Sequence, residues 1–245
     1  MLELRDAKDR GNTHVGWLDS QHTFSFGYYY DLYQRGFSDL LLINDDQLQP
    51  GSGTCTHPHA DMEIITSVLQ GALGHKDIMG SGSTILPGDI QMMSAGTSIW
   101  HSEFNASKLD LVHFLQIWIM PEPNEIPSRY QQVHFDQKQK RGRLRLVISP
   151  DGQDGSLSIN QDVKVYAGLF DGNESAEIDL GQKRYAYVHL ARGSMKLNGM
   201  NLVEGDGVRI RRERVLRFSE GHHADVLVFN LRPNELPHLG RYMVI

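Results

Sequence analysis

Apolar and polar residues alternate along most of this chain in short runs that turn residues interrupt. Such runs cover residues 40–44, 62–69, 90–93, 111–120, 143–148, 163–170, 185–190, 194–197, 207–210 and 225–231. A period of two puts successive side chains on opposite faces, which suits a half-buried strand and not a helix. Between the runs stand Gly80-Ser81-Gly82, Pro87-Gly88-Asp89, Asp151-Gly152, Asp171-Gly172-Asn173, Asn198-Gly199 and Gly205-Asp206-Gly207. Short strands at this spacing predict an all-β sandwich or barrel. Amphipathic helices are scarce; the polar stretch 132–140 reads as a helical or extended connection.

A faint repeat runs through the pattern. Gly71-Ala72-Leu73 followed by Leu86-Pro87-Gly88-Asp89 returns as Arg192-Gly193-Ser194 followed by Val203-Glu204-Gly205-Asp206. In each copy a strand ends at a glycine, a hairpin follows, and a Gly-Asp turn opens the next strand. Two copies of one β unit would account for the length. The polar, proline-bearing segment 121–142 is the expected join. The reading is therefore an N-terminal domain over 1–135 and a C-terminal domain over 136–245.

Composition narrows the class. The 245 residues are 40% hydrophobic and 22% charged, with a formal net charge of −6. That describes an ordinary globular chain with no electrostatic bias toward nucleic acid or anionic membranes. The single cysteine, Cys55, rules out an internal disulfide framework and suits a reducing compartment. No apolar leader or membrane-length run is present, so the expectation is a cytoplasmic protein. The basic run from Arg209 to Arg217 reads as a solvent-facing hairpin whose arginines pair with acidic neighbours.

Chemistry enters at His57-Pro58-His59 and His101-Ser102-Glu103. On a strand, each ligand-x-ligand pair aims two donors at one face. Two such strands face to face would gather three imidazoles and one carboxylate, donors that a divalent transition metal accepts. The bland alternative is separate surface or core histidines. Glu63 is a second candidate carboxylate with the parity of His57 and His59, so parity alone does not choose between Glu63 and Glu103. Cys55 has that parity too, and reads as a small buried hydrophobe. His75 and Asp77 could line the mouth of the site or be solvated. Gly221-His222-His223 reads as a turn into a core strand.

The segment Gly51-x5-His57-x-His59-x3-Glu63 is similar to the first motif of the cupin superfamily, and Gly88 with His101-x3-Asn105 partly matches the second. Gly71 falls one residue late, and four residues rather than two separate Gly96 from His101. Both departures are shared by the pirins, which the chain resembles through most of its first 160 residues. The resemblance runs through Gly16-Trp17-Leu18, His22-Thr23-Phe24-Ser25-Phe26, Ile43-Asn44-Asp45-Asp46, His57-Pro58-His59, Met93-Ser94-Ala95-Gly96-Thr97, His101-Ser102-Glu103, Gln116-Ile117-Trp118 and Ser149-Pro150-Asp151-Gly152.

The resemblance implies a bicupin, two double-stranded β-helix (jelly-roll) barrels in tandem, with metal in the first alone. It implies His57, His59, His101 and Glu103 as ligands. Glu63 would stand behind them to orient an imidazole or move a proton. It implies Fe(II) as the metal, with Mn, Ni, Co, Cu or Zn able to occupy the same donors. It further implies a dioxygenase that takes O₂ and a flavonol such as quercetin, or a related chelating enol, with Glu63 or Glu103 accepting the substrate's proton. The alternative is a metal- or redox-sensing module that binds a protein partner without turnover, as eukaryotic pirins are known as transcription cofactors. An isomerase or epimerase would need a lysine or histidine base in the lumen.

Overall fold

The computed structural model describes residues 1–77, 82–122 and 127–235. Part of the predicted Gly80-Ser81-Gly82 turn and part of the 121–142 join lie outside them. Among the described residues, structure is overwhelmingly strand, and the one α-helical turn, Gln137–Lys140, is capped by Asp136. Among the described residues, no helix is long and apolar enough to cross a membrane. The chain divides into two compact units. Of the described residues, one comprises 11–36, 40–77, 82–122 and 127–134; the other comprises 1–10, 37–39 and 135–235.

The first unit holds two sheets. The larger runs in the order Arg129–His134, Asp89–Ser94, Glu63–Gln70, Val112–Ile119, Leu40–Leu48, Leu18–His22 and Gly11–His14. The smaller runs His57–His59, Ile99–Asn105, Leu73–Asp77 and Gly82–Ile85. All pairings in both are antiparallel. The sheets face each other. Trp118 and Gln116 of the larger touch His59 and Glu103 of the smaller. Apolar clusters close the lumen at two places, one around Met62, Ile64, Met93 and Ile99, the other around Leu48, Val68, Leu73 and Phe114.

The second unit is one nine-stranded sheet built on two long strands, Tyr185–Leu197 and Val215–Leu231. The predicted runs 185–190 and 194–197 fuse into the first of these. The fused strand bends where its register shifts at Leu190, Arg192 and Ser194. Gly193 permits the bend: φ is +73°, and a Cβ there would lie 2.2 Å from the His222 carbonyl oxygen. Residues from both halves of the bent strands, among them Val188, Leu197, Phe218 and Val226, share one core. The first ten residues, counted with the N-terminal half from sequence, supply this sheet's edge strand Leu2–Arg5, which pairs with Gly207–Ile210.

The repeat is visible atom by atom. In the first copy, Leu86 N donates to Asp89 Oδ2 at 2.9 Å and Asp89 N to Leu86 O at 2.9 Å. In the second, Val203 N donates to Asp206 Oδ2 at 2.9 Å and Asp206 N to Val203 O at 3.0 Å. Each aspartate thus closes its turn through side chain and backbone together. The basic run is ion-paired, with Arg209 and Arg211 meeting Glu3, Arg214 meeting Asp179 and Arg217 meeting Glu177, but Arg209 is buried and its strand pairs with Leu2–Arg5 and Tyr185–Leu197 instead of closing a hairpin.

Candidate metal centre

The smaller sheet positions the histidines. In its antiparallel register His101 lies directly opposite His57, and Ile99 opposite His59. Opposed residues share a face, and alternation adds His59 to it. Pro58 is tolerated between them because His57–His59 is an edge strand. One nitrogen from each of His57, His59 and His101 lies within 4.8 Å of the others, the one such cluster among the described residues. The ring centroids are 4.6 to 4.9 Å apart.

The nitrogens are arranged as ligands. His57 Nδ1 is 2.9 Å from the Cys55 carbonyl oxygen, which can only accept, so Nδ1 carries the proton and Nε2 keeps its lone pair. His59 Nε2 and both nitrogens of His101 are buried without a protein partner. Each such orphan costs about 1–3 kcal/mol unless something meets it. Burial, reinforced by the neighbouring imidazoles, lowers His59 to about 4 and His101 to about 2. Both are neutral near pH 7, the form that binds metal. Converging imidazoles, two of them neutral with unpartnered nitrogens, are what a first-row divalent ion fits.

Glu103 stands two residues beyond His101 on the same face and is buried. Its carboxyl lies outside the three-nitrogen cluster. Gln116 Nε2 holds it with a 2.6 Å hydrogen bond, and burial pushes its pKa up to about 7 against that bond. Glu63 is not brought to this place. It is fully buried, takes a 2.7 Å hydrogen bond from Ser94 Oγ, and shares the register row of Ser94 and Ile119. Thr66, three residues on and therefore on the opposite face, shares the row of Gln116. The turn at Asp61, with φ at +49°, breaks the parity that linked Glu63 to His57 and His59.

The other candidates separate. Cys55 is exposed, and its contribution is the carbonyl that fixes His57. His75 and Asp77 are buried rather than solvated. They lie across the strand from Glu103 and His101, and the His75 ring sits 5.3 Å from His101 and 5.1 Å from Tyr130. His222 and His223 are exposed, with ring centroids 4.6 Å apart and Asp171 3.6 Å from His223, and among the described residues they form no three-donor cluster.

A cavity of about 590 Å³ opens beside the histidines. His57, Pro58, His59 and Glu103 of the smaller sheet, with Thr54 beside them, form one wall; the opposite wall includes Trp118, Gln116, Phe114, Asn44 and Asp46. Phe26 and the fully exposed Tyr28 stand at its margin. The volume suits a drug-sized ligand. Asp46 went unassigned in the sequence because nothing in Ile43-Asn44-Asp45-Asp46 marks one acid as inward. In the structure Asp46 shares the cavity's face with Asn44, while Asp45 turns to His113 at 2.5 Å on the other side. Burial raises Asp46 to about 7, with Glu103 and Asp45 adding repulsion against a Ser20 hydrogen bond.

Two successive β units, the first holding an imidazole cluster between facing sheets, define a bicupin. The pirin family model matches residues 3–119, and the quercetinase C-terminal cupin domain matches residues 146–231. The chain is 43% identical over 233 residues to a quercetin 2,3-dioxygenase of Escherichia coli strain K12, an alignment spanning 95% of this chain and all of the relative. The chain belongs to the pirin family. Its fold is similar to the crystal structure of YhhW from Escherichia coli (TM-score 0.92, 42% identity, 97% of this chain and 100% of that one). It also matches the bacterial pirin YhhW in complex with nickel(II), with a TM-score of 0.90 and 42% identity over 95% of this chain and 100% of that one.

Proposed function

We propose that this chain is a metal-dependent dioxygenase that opens the ring of a flavonol such as quercetin, or a related chelating enol, with O₂ and loss of carbon monoxide. Within it, His57, His59 and His101 hold one divalent ion, Fe(II) in the working protein, and Glu103 completes the set or stands beside it. The metal centre belongs to the N-terminal domain, about residues 1–135, and the C-terminal domain from 136 holds none. The observation that carries this reading is the trio of imidazoles, one nitrogen of each converging beside a cavity of ligand size. The relative named quercetin 2,3-dioxygenase and the nickel complex of YhhW support it.

When bound, the metal supplies Lewis-acid polarisation of a chelating enol and an electron relay for O₂. The protein's own groups do the rest. Glu103, buried on the cavity wall, takes the enol proton. Gln116 fixes the carboxyl that receives it. The Cys55 carbonyl keeps His57 in one tautomer. Trp118, edge-on to His59 at 5.0 Å, and Phe26 and Phe114 wall the cavity with apolar surface that excludes water.

The test is to mix anaerobic Fe(II)-loaded protein with quercetin and then admit air. Loss of the flavonol absorbance with stoichiometric carbon monoxide is expected. Unchanged absorbance and no carbon monoxide would overturn the proposal.

A further inference from the structure

The cavity contains a carboxyl group that the metal chemistry leaves unused. Asp46 lies on Leu40–Leu48, with Ser20 and Phe114 beside it in register, on the wall opposite the histidines. It is 8% exposed, it lines the cavity, and its Oδ1 has no hydrogen-bond partner in the protein. Native structures rarely leave a buried acceptor unmatched. Ser20 already hydrogen-bonds this carboxyl, and His22 is committed elsewhere. His22 spends Nε2 on Thr13 Oγ1 at 2.9 Å and Nδ1 on Asn44 Oδ1 at 2.8 Å. What remains to meet Oδ1 is the content of the cavity, and it has to bring a hydrogen.

We propose that Asp46 accepts a hydrogen bond from a ring hydroxyl of the bound ligand, remote from its chelating end, and so selects polyhydroxylated flavonols over unsubstituted ones. The inference rests on the reading of the cavity as a flavonol site. It adds a second point of recognition across the lumen from the imidazoles. A site built to receive a hydroxyl rejects the analogue that lacks it, because its acceptor is then left unmatched.

The test compares anaerobic binding of quercetin and 3-hydroxyflavone to metal-loaded protein. Both carry the 3-hydroxyl and 4-carbonyl; only quercetin carries the further ring hydroxyls. The wild type is expected to favour quercetin by roughly tenfold or more, the scale of one hydrogen bond to a charged group. Asp46→Leu is expected to collapse that preference, weakening quercetin and relieving the penalty on 3-hydroxyflavone. Equal weakening of both ligands, or no quercetin preference in the wild type, would overturn the proposal. Should Asp46→Leu not fold, Asp46→Asn carries the test: a neutral acceptor reduces the preference, and an unchanged preference overturns the idea. Carbon monoxide release is read separately. Discrimination without turnover sinks the dioxygenase reading alone, and turnover with discrimination that ignores Asp46 sinks this one alone.

Discussion

Replacing Glu103 with glutamine should stabilise the metal-free protein while weakening its hold on metal. Glu103 is buried, with a pKa lifted from 4.5 to about 7. In the folded chain its ionised form is disfavoured by the equivalent of roughly 3 kcal/mol at 1.36 kcal/mol per pH unit. Between pH 4.5 and about 7 the folded state binds the proton that the unfolded state has released. Stability is therefore lost as pH rises through that window, and the whole penalty is present above it. Glutamine removes the penalty, and its extra amide hydrogens, once buried, give back about 1–2 kcal/mol. The net gain at pH 8 is about 1–2 kcal/mol, or roughly 2–8 °C in melting temperature for a chain of this size. The assay is thermal unfolding of chelator-treated wild type and Glu103→Gln at pH 8 and pH 5, with nickel titration of both. The variant should melt higher at pH 8, lose that advantage at pH 5, and bind nickel more weakly. An advantage that is absent at pH 8, or equal at both values, refutes the reasoning.

Alanine at His57, His59 or His101 should each reduce bound metal, by elemental analysis, to a small fraction of the wild-type stoichiometry, because each removes one of three converging nitrogens. In metal-free protein, His59→Phe should narrow the loss of melting temperature between pH 6.5 and pH 4. Burial lowers His59 from 6.5 to about 4, so the folded wild type binds fewer protons there than the unfolded chain and weakens as pH falls. Gly71→Ala should destabilise the protein by about 2 kcal/mol or more in urea unfolding. Its φ of +80° disfavours any side chain, and a Cβ would lie 2.6 Å from the Leu111 carbonyl oxygen.

The histidine pairs were legible from sequence because a strand converts x-spacing directly into a shared face, and both pairs lie on strands. The Gly-Asp turns were legible because glycine's positive φ and the aspartate's short side chain act locally. Glu63 was not, since one left-handed residue at Asp61 resets the face of everything beyond it. Nor was Asp46: the predicted run 40–44 stops at the first polar residues, whereas the strand continues to Leu48. Asn44 and Asp46 are buried while lining a cavity, and the neighbours that make the cavity are distant in sequence. The fused strands of the second unit were split for a related reason, as a bulge at Gly193 resembles a turn when read alone.

His57 and His59 ride on a strand of three residues at the margin of the smaller sheet, hydrogen-bonded to a single neighbour. So short a margin has little of its own to keep it in place. An ion held by both its imidazoles and by His101, one strand further in, would stitch that margin to the interior. Loading and locking would then be one event, and a chelator would loosen first the stretch of backbone beside the cavity.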